Sequence, residues 1–189
     1  MNICIVGHGP SLRLAKKGKE IDAHDVVVRL KGCSKVLGTE DYGSICHHLC
    51  ASTEIMGTFF DVTCSSFWGY PKKGDYSFDR AVRTIMDLGA PVMIPLKLCN
   101  HWNQRFCDMG GKHPNVSTGM AAIIIAAHYY EPKIITLAGF DTLINPKNGF
   151  YRNPEIPRSG VGQIDHDWET EHELLNVLAD HYKFKLAGL

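Results

Sequence analysis

Residues 116–138 read VSTGMAAIIIAAHYYEPKIITLA, and this stretch decides the fold class. Residues 117–130 are apolar on nearly every side, which predicts a helix lying in the interior against a sheet. Pro132 cannot continue a helix, so it ends this one. The apolar run at 133–138 then predicts a strand. A buried helix followed by a strand is the repeating unit of a largely parallel sheet.

The N-terminal region predicts a second unit of the same kind. Residues 2–6 (NICIV) form a short apolar strand that stops at the turn residues of 7–10 (GHGP). Ser11 is placed to cap a brief helix. Residues 25–30 (DVVVRL) are a second strand, separated from the first by the length that a crossover connection requires. The opening of the chain therefore predicts a βαβ unit.

The remaining elements follow from the same patterns. Strands are predicted at 45–50, 61–65, 91–94 and 182–186, and helices at 77–88 and 167–181, with an ambiguous short helix at 98–109. Residues 140–165 are rich in proline and glycine, which predicts a lid or acceptor loop. We expect one domain over residues 1–189, a three-layer, Rossmann-like α/β domain with a mostly parallel central sheet.

Composition excludes some classes of protein. Twenty basic and twenty acidic residues balance, so charge does not favour nucleic acid or an anionic membrane, although a local basic cleft for nucleic acid is not excluded. No basic segment precedes a long apolar run at the N-terminus, and no apolar stretch is long enough to span a bilayer. We therefore expect a cytoplasmic protein that does not contact membranes.

The seven cysteines do not predict disulfides or a metal site. Their odd number and scattered positions favour reduced thiols in a reducing compartment. Cys46, His47, His48 and Cys50 superficially suggest a zinc site, but neighbouring residues of a strand point to opposite faces. We expect no metal.

Two turns are candidates for binding a nucleotide. In VGHGPSL (6–12), glycines let the backbone approach a phosphate or ribose, although a tight βα turn explains them equally well. In VSTGM (116–120), hydroxyls and backbone N–H groups begin a buried helix whose dipole favours an anion. The alternative is an ordinary cap with close packing at Gly119. We expect both turns at the carboxyl ends of adjacent strands.

His166 is a candidate general base. It lies between Asp165 and Asp167 just before the last helix, and a carboxylate beside an imidazole orients it or raises its pKa. The alternative is a solvated histidine beside an aspartate cap. Glu171 follows His166 by five residues, so the two side chains need not share a face. Alternatively, Glu171 organises the start of the last helix. The D-x-D at 165–167 also suggests a divalent ion on a diphosphate, which a monophosphate leaving group does not need.

Together, these motifs resemble the sialyltransferase superfamily, specifically the animal-type family marked by large, small and very small sialyl motifs. Residues 5–12 and 20–30 are similar to the large motif, and 113–142 to the small motif. His166 and Glu171 match the very small motif. The VGHGPSL turn is also similar to the GNGPSL turn of bacterial sialyltransferases. Residues 59–112 have no counterpart.

The resemblance implies a sialyltransferase-like variant of the GT-A fold and an inverting glycosyltransferase. Such an enzyme moves sialic acid or a related nonulosonate from a CMP-activated donor to a hydroxyl of a glycan or other acceptor, with no metal and no bound cofactor. His166 would be the base, supported by Glu171, with Tyr151 standing in for a third motif. The donor would lie against two sets of residues: Gly7, His8, Gly9, Pro10, Ser11, Arg29 and Lys31 for the nucleoside, and Ser117, Thr118 and Gly119 for the phosphate.

The chain departs from the family pattern in ways that keep alternatives open. His8 and Lys31 replace asparagines that read the nucleotide, and the small motif lacks the cysteine of the family's disulfide. The chain is short and lacks a membrane anchor, so we expect a minimal bacterial or viral version. The alternatives are a transferase using another nucleotide sugar, on a glycan or on a phage or bacterial nucleobase, a magnesium-dependent pterin or nucleotide diphosphokinase-like protein, and a non-catalytic nucleotide-binding module.

Overall fold

The structure is a computed structural model that describes residues 1–52, 62–70, 91–145 and 166–189. The strands, in chain order, are β1 (Asn2–Val6), β2 (Val26–Leu30), β3 (His48–Ser52), β4 (Ser66–Tyr70), β5 (Val92–Met93), β6 (Ile134–Ala138) and β7 (Lys185–Gly188). The helices are α1 (Gly18–Asp22), α2 (Leu96–Asp108), α3 (Thr118–Tyr130), α4 (Asp141–Ile144) and α5 (Trp168–Tyr182), and a 3₁₀ turn covers Pro10–Leu12.

The described strands form one sheet in the order β5-β4-β3-β2-β1-β6-β7, and every neighbouring pair is parallel. The predicted α/β class is therefore confirmed, and the sheet is parallel throughout this part of the chain. The predicted βαβ opening is also confirmed, since β1 pairs directly with β2. All seven strands end at the same side of the sheet, which we call the carboxyl edge.

The two faces of the sheet are covered differently. Ile3 and Ile5 of β1 pack in a cluster that contains the buried faces of α2, α3 and α5. Cys4 and Val6 of the same strand point to a second cluster, built from the 3₁₀ turn, α1 and residues 33–42. These two clusters and the sheet between them are the predicted three layers.

The αβ unit at residues 117–138 has the predicted structure. Ser117 caps α3, and the buried residues of the helix run from Gly119 to Ala127 without a break. Glu131 ends the helix in the left-handed conformation, directly before Pro132. The strand β6 follows within two residues and lies in the sheet beside β1.

Several predicted boundaries are wrong for identifiable reasons. The strand predicted at 45–50 begins only at His48, because the backbone N–H groups of Ser44 and Ile45 bond to the Asp22 carboxylate. No strand lies at 62–65 as predicted, and the sequence SFWGY at 66–70 supplies β4 instead. The last strand begins at Lys185, because α5 continues through Tyr182.

Two further predictions concern residues 98–109 and 140–165. The ambiguous segment at 98–109 is the 13-residue helix α2, with Cys99, Trp102 and Phe106 on its buried face. The loop predicted at 140–165 contains the short helix α4 at its start. The rest of that loop, and the helix predicted at 77–88, lie outside the described residues.

Candidate active site

One aromatic ring joins the two glycine-containing motifs at the carboxyl edge. Phe140 follows the end of β6, and its ring lies between Gly7, which follows β1, and Gly119 in the first turn of α3. A Cβ atom added to Gly7 would lie 2.9 Å from Cδ2 of the ring, and one added to Gly119 would lie 2.7 Å from Cε1. These atoms are on opposite edges of the ring. Both glycines are therefore needed for close packing around Phe140.

The first motif is a tight turn held against the end of β6. The Gly7 and Gly9 N–H groups donate to the carbonyls of Ala138 and Gly139, each at 2.7 Å. The Asp141 carboxylate accepts from the Ser11 N–H at 3.3 Å, and a Cβ on Gly9 would overlap this carboxylate at 1.8 Å. The start of the 3₁₀ turn thus already holds a negative group, which disfavours a phosphate at that point.

We expected the second motif at the carboxyl end of a strand. In the structure it instead follows the helix α2 and the loop after that helix. Ser117 caps α3, and its Oγ accepts from the Met120 N–H at 3.1 Å. The two donors of Ser117 are both engaged by Glu171: the N–H at 2.6 Å and the hydroxyl at 2.7 Å. Within the described part of the chain, the donors that the helix start leaves for a ligand are the first-turn N–H groups of Thr118 and Gly119 and the Thr118 hydroxyl.

Glu171 is a buried acid on the first turn of α5. It is 1% exposed, and burial raises its pKa to about 7, with the charge of Asp167 adding to the rise and the two bonds from Ser117 opposing it. The sequence suggested that this residue organises the start of its own helix. In the structure it instead organises the start of α3, which lies 54 residues earlier in the chain.

His166 lies beside this acid. Its Nδ1 is 4.0 Å from Glu171 Oε1, its side chain is 29% exposed, and its ring packs on Trp168 with centroids 4.7 Å apart. Asp167, which the sequence placed beside the histidine, caps α5 and accepts from the N–H groups of Thr170 at 3.3 Å and Lys112 at 3.2 Å. Glu171 is therefore the described carboxylate that faces His166 Nδ1.

A polar network behind the second motif was missed by the sequence analysis. Asn103 of α2 is buried, and its Oδ1 accepts from the Tyr70 hydroxyl at 2.5 Å and from the Val116 N–H at 3.1 Å. Its Nδ2 donates to Asn115 Oδ1 at 3.2 Å. The network connects the last residue of β4 to the residues just before Ser117. Its one signal in the sequence was an asparagine among aromatic residues in a segment of ambiguous structure.

Arg29 is not brought to the candidate site, which corrects its assignment to the nucleoside. Its side chain is fully buried on the other face of the sheet, under residues 42–45. Nε donates to the Ile45 carbonyl and Nη2 to the Tyr42 carbonyl, each at 2.7 Å, and Nη2 lies 3.6 Å from Asp22 Oδ1. Arg29 therefore holds the loop that precedes β3.

The other candidate residues are placed as follows. Pro10 and Ser11 begin the 3₁₀ turn, and His8 is half-buried in the turn before it. Lys31 lies at the carboxyl edge directly after β2, where its N–H donates to the Cys50 carbonyl. Tyr151 and Asp165 lie outside the described residues.

Within residues 1–52, 62–70, 91–145 and 166–189, no three His, Cys, Asp or Glu side chains lie close enough together to hold a metal ion. In the same ranges, no helix has both the length and the apolar character needed to cross a membrane.

Comparison with known proteins gives matches at the level of structure. No protein-family model matches the sequence, and no curated protein matches it. A crystal structure of a mammalian sialyltransferase in complex with Gal-beta-1-3GalNAc-ortho-nitrophenol matches with a TM-score of 0.63 and 19% identity, over 98% of this chain and 68% of the other. A second mammalian sialyltransferase structure matches with the same TM-score, 18% identity and the same coverage. The fold of this chain is therefore sialyltransferase-like.

Proposed function

We propose that this protein is an inverting glycosyltransferase that moves a sugar, sialic acid or a related nonulosonate, from a CMP-activated donor to an acceptor hydroxyl. The observation that carries the proposal is a pair of contacts made by Glu171, which lies beside His166 and accepts two hydrogen bonds from Ser117 at the start of α3. It unites a candidate base, a buried acid and a candidate phosphate site in a sialyltransferase-like fold. A glycosyltransferase is the class of enzyme that this fold and these groups support best.

His166 acts as the general base. With Nδ1 facing Glu171, Nε2 takes the proton of the acceptor hydroxyl as its oxygen attacks the anomeric carbon. The bond from that carbon to the donor phosphate breaks, and CMP leaves from the opposite side, which inverts the anomeric configuration. The imidazolium that forms lies 4.0 Å from Glu171, whose ionised form stabilises it.

The start of α3 receives the departing phosphate. The N–H groups of Thr118 and Gly119 and the positive end of the helix dipole stabilise the charge that develops on the leaving oxygen. Because the leaving group is a monophosphate, these donors can replace a metal ion, and we propose a metal-independent reaction. Tyr151 is proposed as a further donor to the same phosphate.

The nucleoside lies at the first motif, near residues 7–11, with His8 and Lys31 beside it. The Asp141 carboxylate at this turn repels a phosphate but accepts hydrogen bonds from hydroxyl groups. This arrangement favours the ribose of the donor at the first motif and its phosphate at the second. The acceptor is a glycan or another molecule with a free hydroxyl.

Nucleotide-dependent heat stability tests the proposal. CMP at about 100 times its dissociation constant should raise the melting temperature by roughly 5–10 °C without magnesium. UMP and AMP should raise it much less. Stabilisation by UMP or AMP alone would point to another nucleotide sugar, and a strict need for magnesium would point to a diphosphokinase-like protein; either result contradicts the proposal.

Transfer itself is the second measurement. The protein should release CMP from CMP-sialic acid faster when an acceptor is present. The acceptor panel should include Gal-beta-1-3GalNAc, the disaccharide found with one structural neighbour. CMP binding with no turnover on any acceptor would support the alternative of a non-catalytic nucleotide-binding module.

A further inference from the structure

Cys46 and Cys64 lie side by side on neighbouring strand ends, away from the candidate active site. Cys46 lies two residues before His48 of β3, and Cys64 lies two residues before Ser66 of β4. His48 and Ser66 are paired in the sheet. The His47 carbonyl accepts from the N–H groups of Ser65 at 2.9 Å and Ser66 at 3.2 Å, which extends the pairing toward the cysteines. The two cysteines are thus brought together at the edge of the sheet where strands begin.

The two thiols are neighbours, and both are partly exposed. Both side chains pack against the same cluster, on the face of the sheet that carries Arg29, and both are half-buried. The Cys46 thiol donates to the His48 carbonyl at 3.6 Å, and the Cys64 sulfur is within hydrogen-bonding reach of the same thiol. All seven cysteines lie in the described residues, and four of the other five are buried. The remaining one, Cys107, is half-buried on α2, where its thiol donates to the His113 carbonyl.

We infer that Cys46 and Cys64 form a dithiol site that a small-molecule disulfide oxidises to one reversible disulfide bond. Neighbouring strands lie about 4.8 Å apart, which is within the Cα separation of about 4.4–6.8 Å that a disulfide spans. The site is independent of the proposed function, because it lies at the edge opposite to the carboxyl edge.

Cys64 is the attacking thiol. The hydrogen bond from Cys46 lowers the pKa of Cys64, burial opposes this, and the N–H groups of Leu49 and Ser66 lower it further. The thiolate is the nucleophile in thiol–disulfide exchange. The Cys64 thiolate attacks one sulfur of the oxidant, the S–S bond of the oxidant breaks, and one thiolate leaves and takes up a proton. Cys64 is then in a mixed disulfide.

Cys46 completes the exchange. Its pKa is raised first of all by its hydrogen bond to Cys64, and this cause disappears once Cys64 carries a sulfur substituent in place of a negative charge. Cys46 loses its proton to solvent and attacks the Cys64 sulfur, and the second thiolate of the oxidant leaves and is protonated. Two protein thiols are oxidised to one disulfide, and the oxidant is reduced to two thiols.

Peptide mapping after oxidation with glutathione disulfide tests this inference. The purified full chain is oxidised, its remaining thiols are alkylated, and it is digested without reduction. We expect one pair of peptides linked through Cys46 and Cys64, about 2 Da lighter than their sum, and its loss on adding dithiothreitol. Recovery of both cysteines as alkylated thiols, or as separate glutathione adducts, would overturn the inference.

Two variants make the result specific. Cys46→Ser keeps a hydroxyl beside Cys64 and should hold Cys64 as a stable glutathione adduct, because the resolving thiol is gone. Cys107→Ser is the matched control, a half-buried cysteine on a helix, and should form the Cys46–Cys64 link as the original chain does. Circular dichroism confirms that each variant is folded. A link that forms equally in Cys46→Ser through another cysteine would contradict the assignment of the pair.

Discussion

Both carboxylate oxygens of Glu171 are bonded to Ser117, Oε1 to the backbone N–H at 2.6 Å and Oε2 to the hydroxyl at 2.7 Å. A single buried acid thus fixes the start of α3 from the first turn of α5. The same carboxylate faces His166 at 4.0 Å. Its protonation state therefore affects both the stability of the fold and the charge beside the proposed base.

Stability should depend on pH through Glu171. Its pKa is about 7 in the folded chain against an ordinary value of 4.5, so between these values the folded state holds a proton that the unfolded state has lost. The free energy of unfolding should therefore fall as pH rises from about 4.5 to 7, by roughly 2–4 kcal/mol from this residue. Glu171→Gln does not titrate, and its amide can still bond to Ser117.

Urea unfolding at pH 5, 6, 7 and 8 measures this effect. The stability of Glu171→Gln relative to the original chain should increase from pH 5 to pH 7 and level off toward pH 8. Glu169→Gln, an exposed position in the same turn, is the control and should show no such trend. A constant difference between Glu171→Gln and the original chain would contradict the raised pKa.

His166→Ala should lower turnover by roughly 100-fold or more and leave CMP affinity nearly unchanged, because base catalysis contributes about that much and other residues hold the nucleotide. Initial rates with CMP-sialic acid and calorimetric titration with CMP are the measurements. His181→Ala changes an exposed histidine in the last turn of α5 and should retain full activity. Equal losses of rate and of CMP affinity would make His166 a donor-binding residue.

Asn103→Ala should destabilise the fold by roughly 2–4 kcal/mol, because the Val116 N–H and the Tyr70 hydroxyl both lose their buried acceptor. Tyr70→Phe should cost less, about 1 kcal/mol, because Asn103 then keeps its bond from Val116. CMP affinity should fall in Asn103→Ala, since the residue before Ser117 is released. Chemical unfolding and CMP titration measure the two effects, and equal losses from both variants would show that the Val116 bond contributes nothing.

Gly119→Ala should destabilise the fold by roughly 1–3 kcal/mol, because its Cβ would meet the Phe140 ring at 2.7 Å. Adding Phe140→Leu should recover part of this loss, since the obstacle is a side chain. Gly7→Ala should not be recovered by Phe140→Leu, because its Cβ would also meet the Gly139 carbonyl at 2.5 Å. A double-mutant cycle in thermal unfolding measures the difference, and the absence of coupling between Gly119 and Phe140 would contradict the packing role.

The sequence predicted the elements whose stability comes from local pattern. The apolar run at 117–130 and Pro132 fixed α3 and its end, and the β-branched runs at 2–6 and 25–30 predicted two adjacent parallel strands. It missed β4 because SFWGY lacks alternating polarity, and its Trp68 and Tyr70 become strand residues through burial against the helices. The tertiary environment overrode the weak local preference there.

The sequence alone therefore determined the α/β class, the mostly parallel sheet and the positions of the two glycine-containing turns, because periodicity and turn residues depend on neighbours within a few positions. Only the tertiary structure decided which groups meet. Glu171 and Ser117 are joined across 54 positions, Phe140 is fitted between Gly7 and Gly119, and Arg29 is buried away from the site. Such contacts depend on how helices cross a sheet and on which buried polar groups need partners, and neither is encoded in any short stretch of chain.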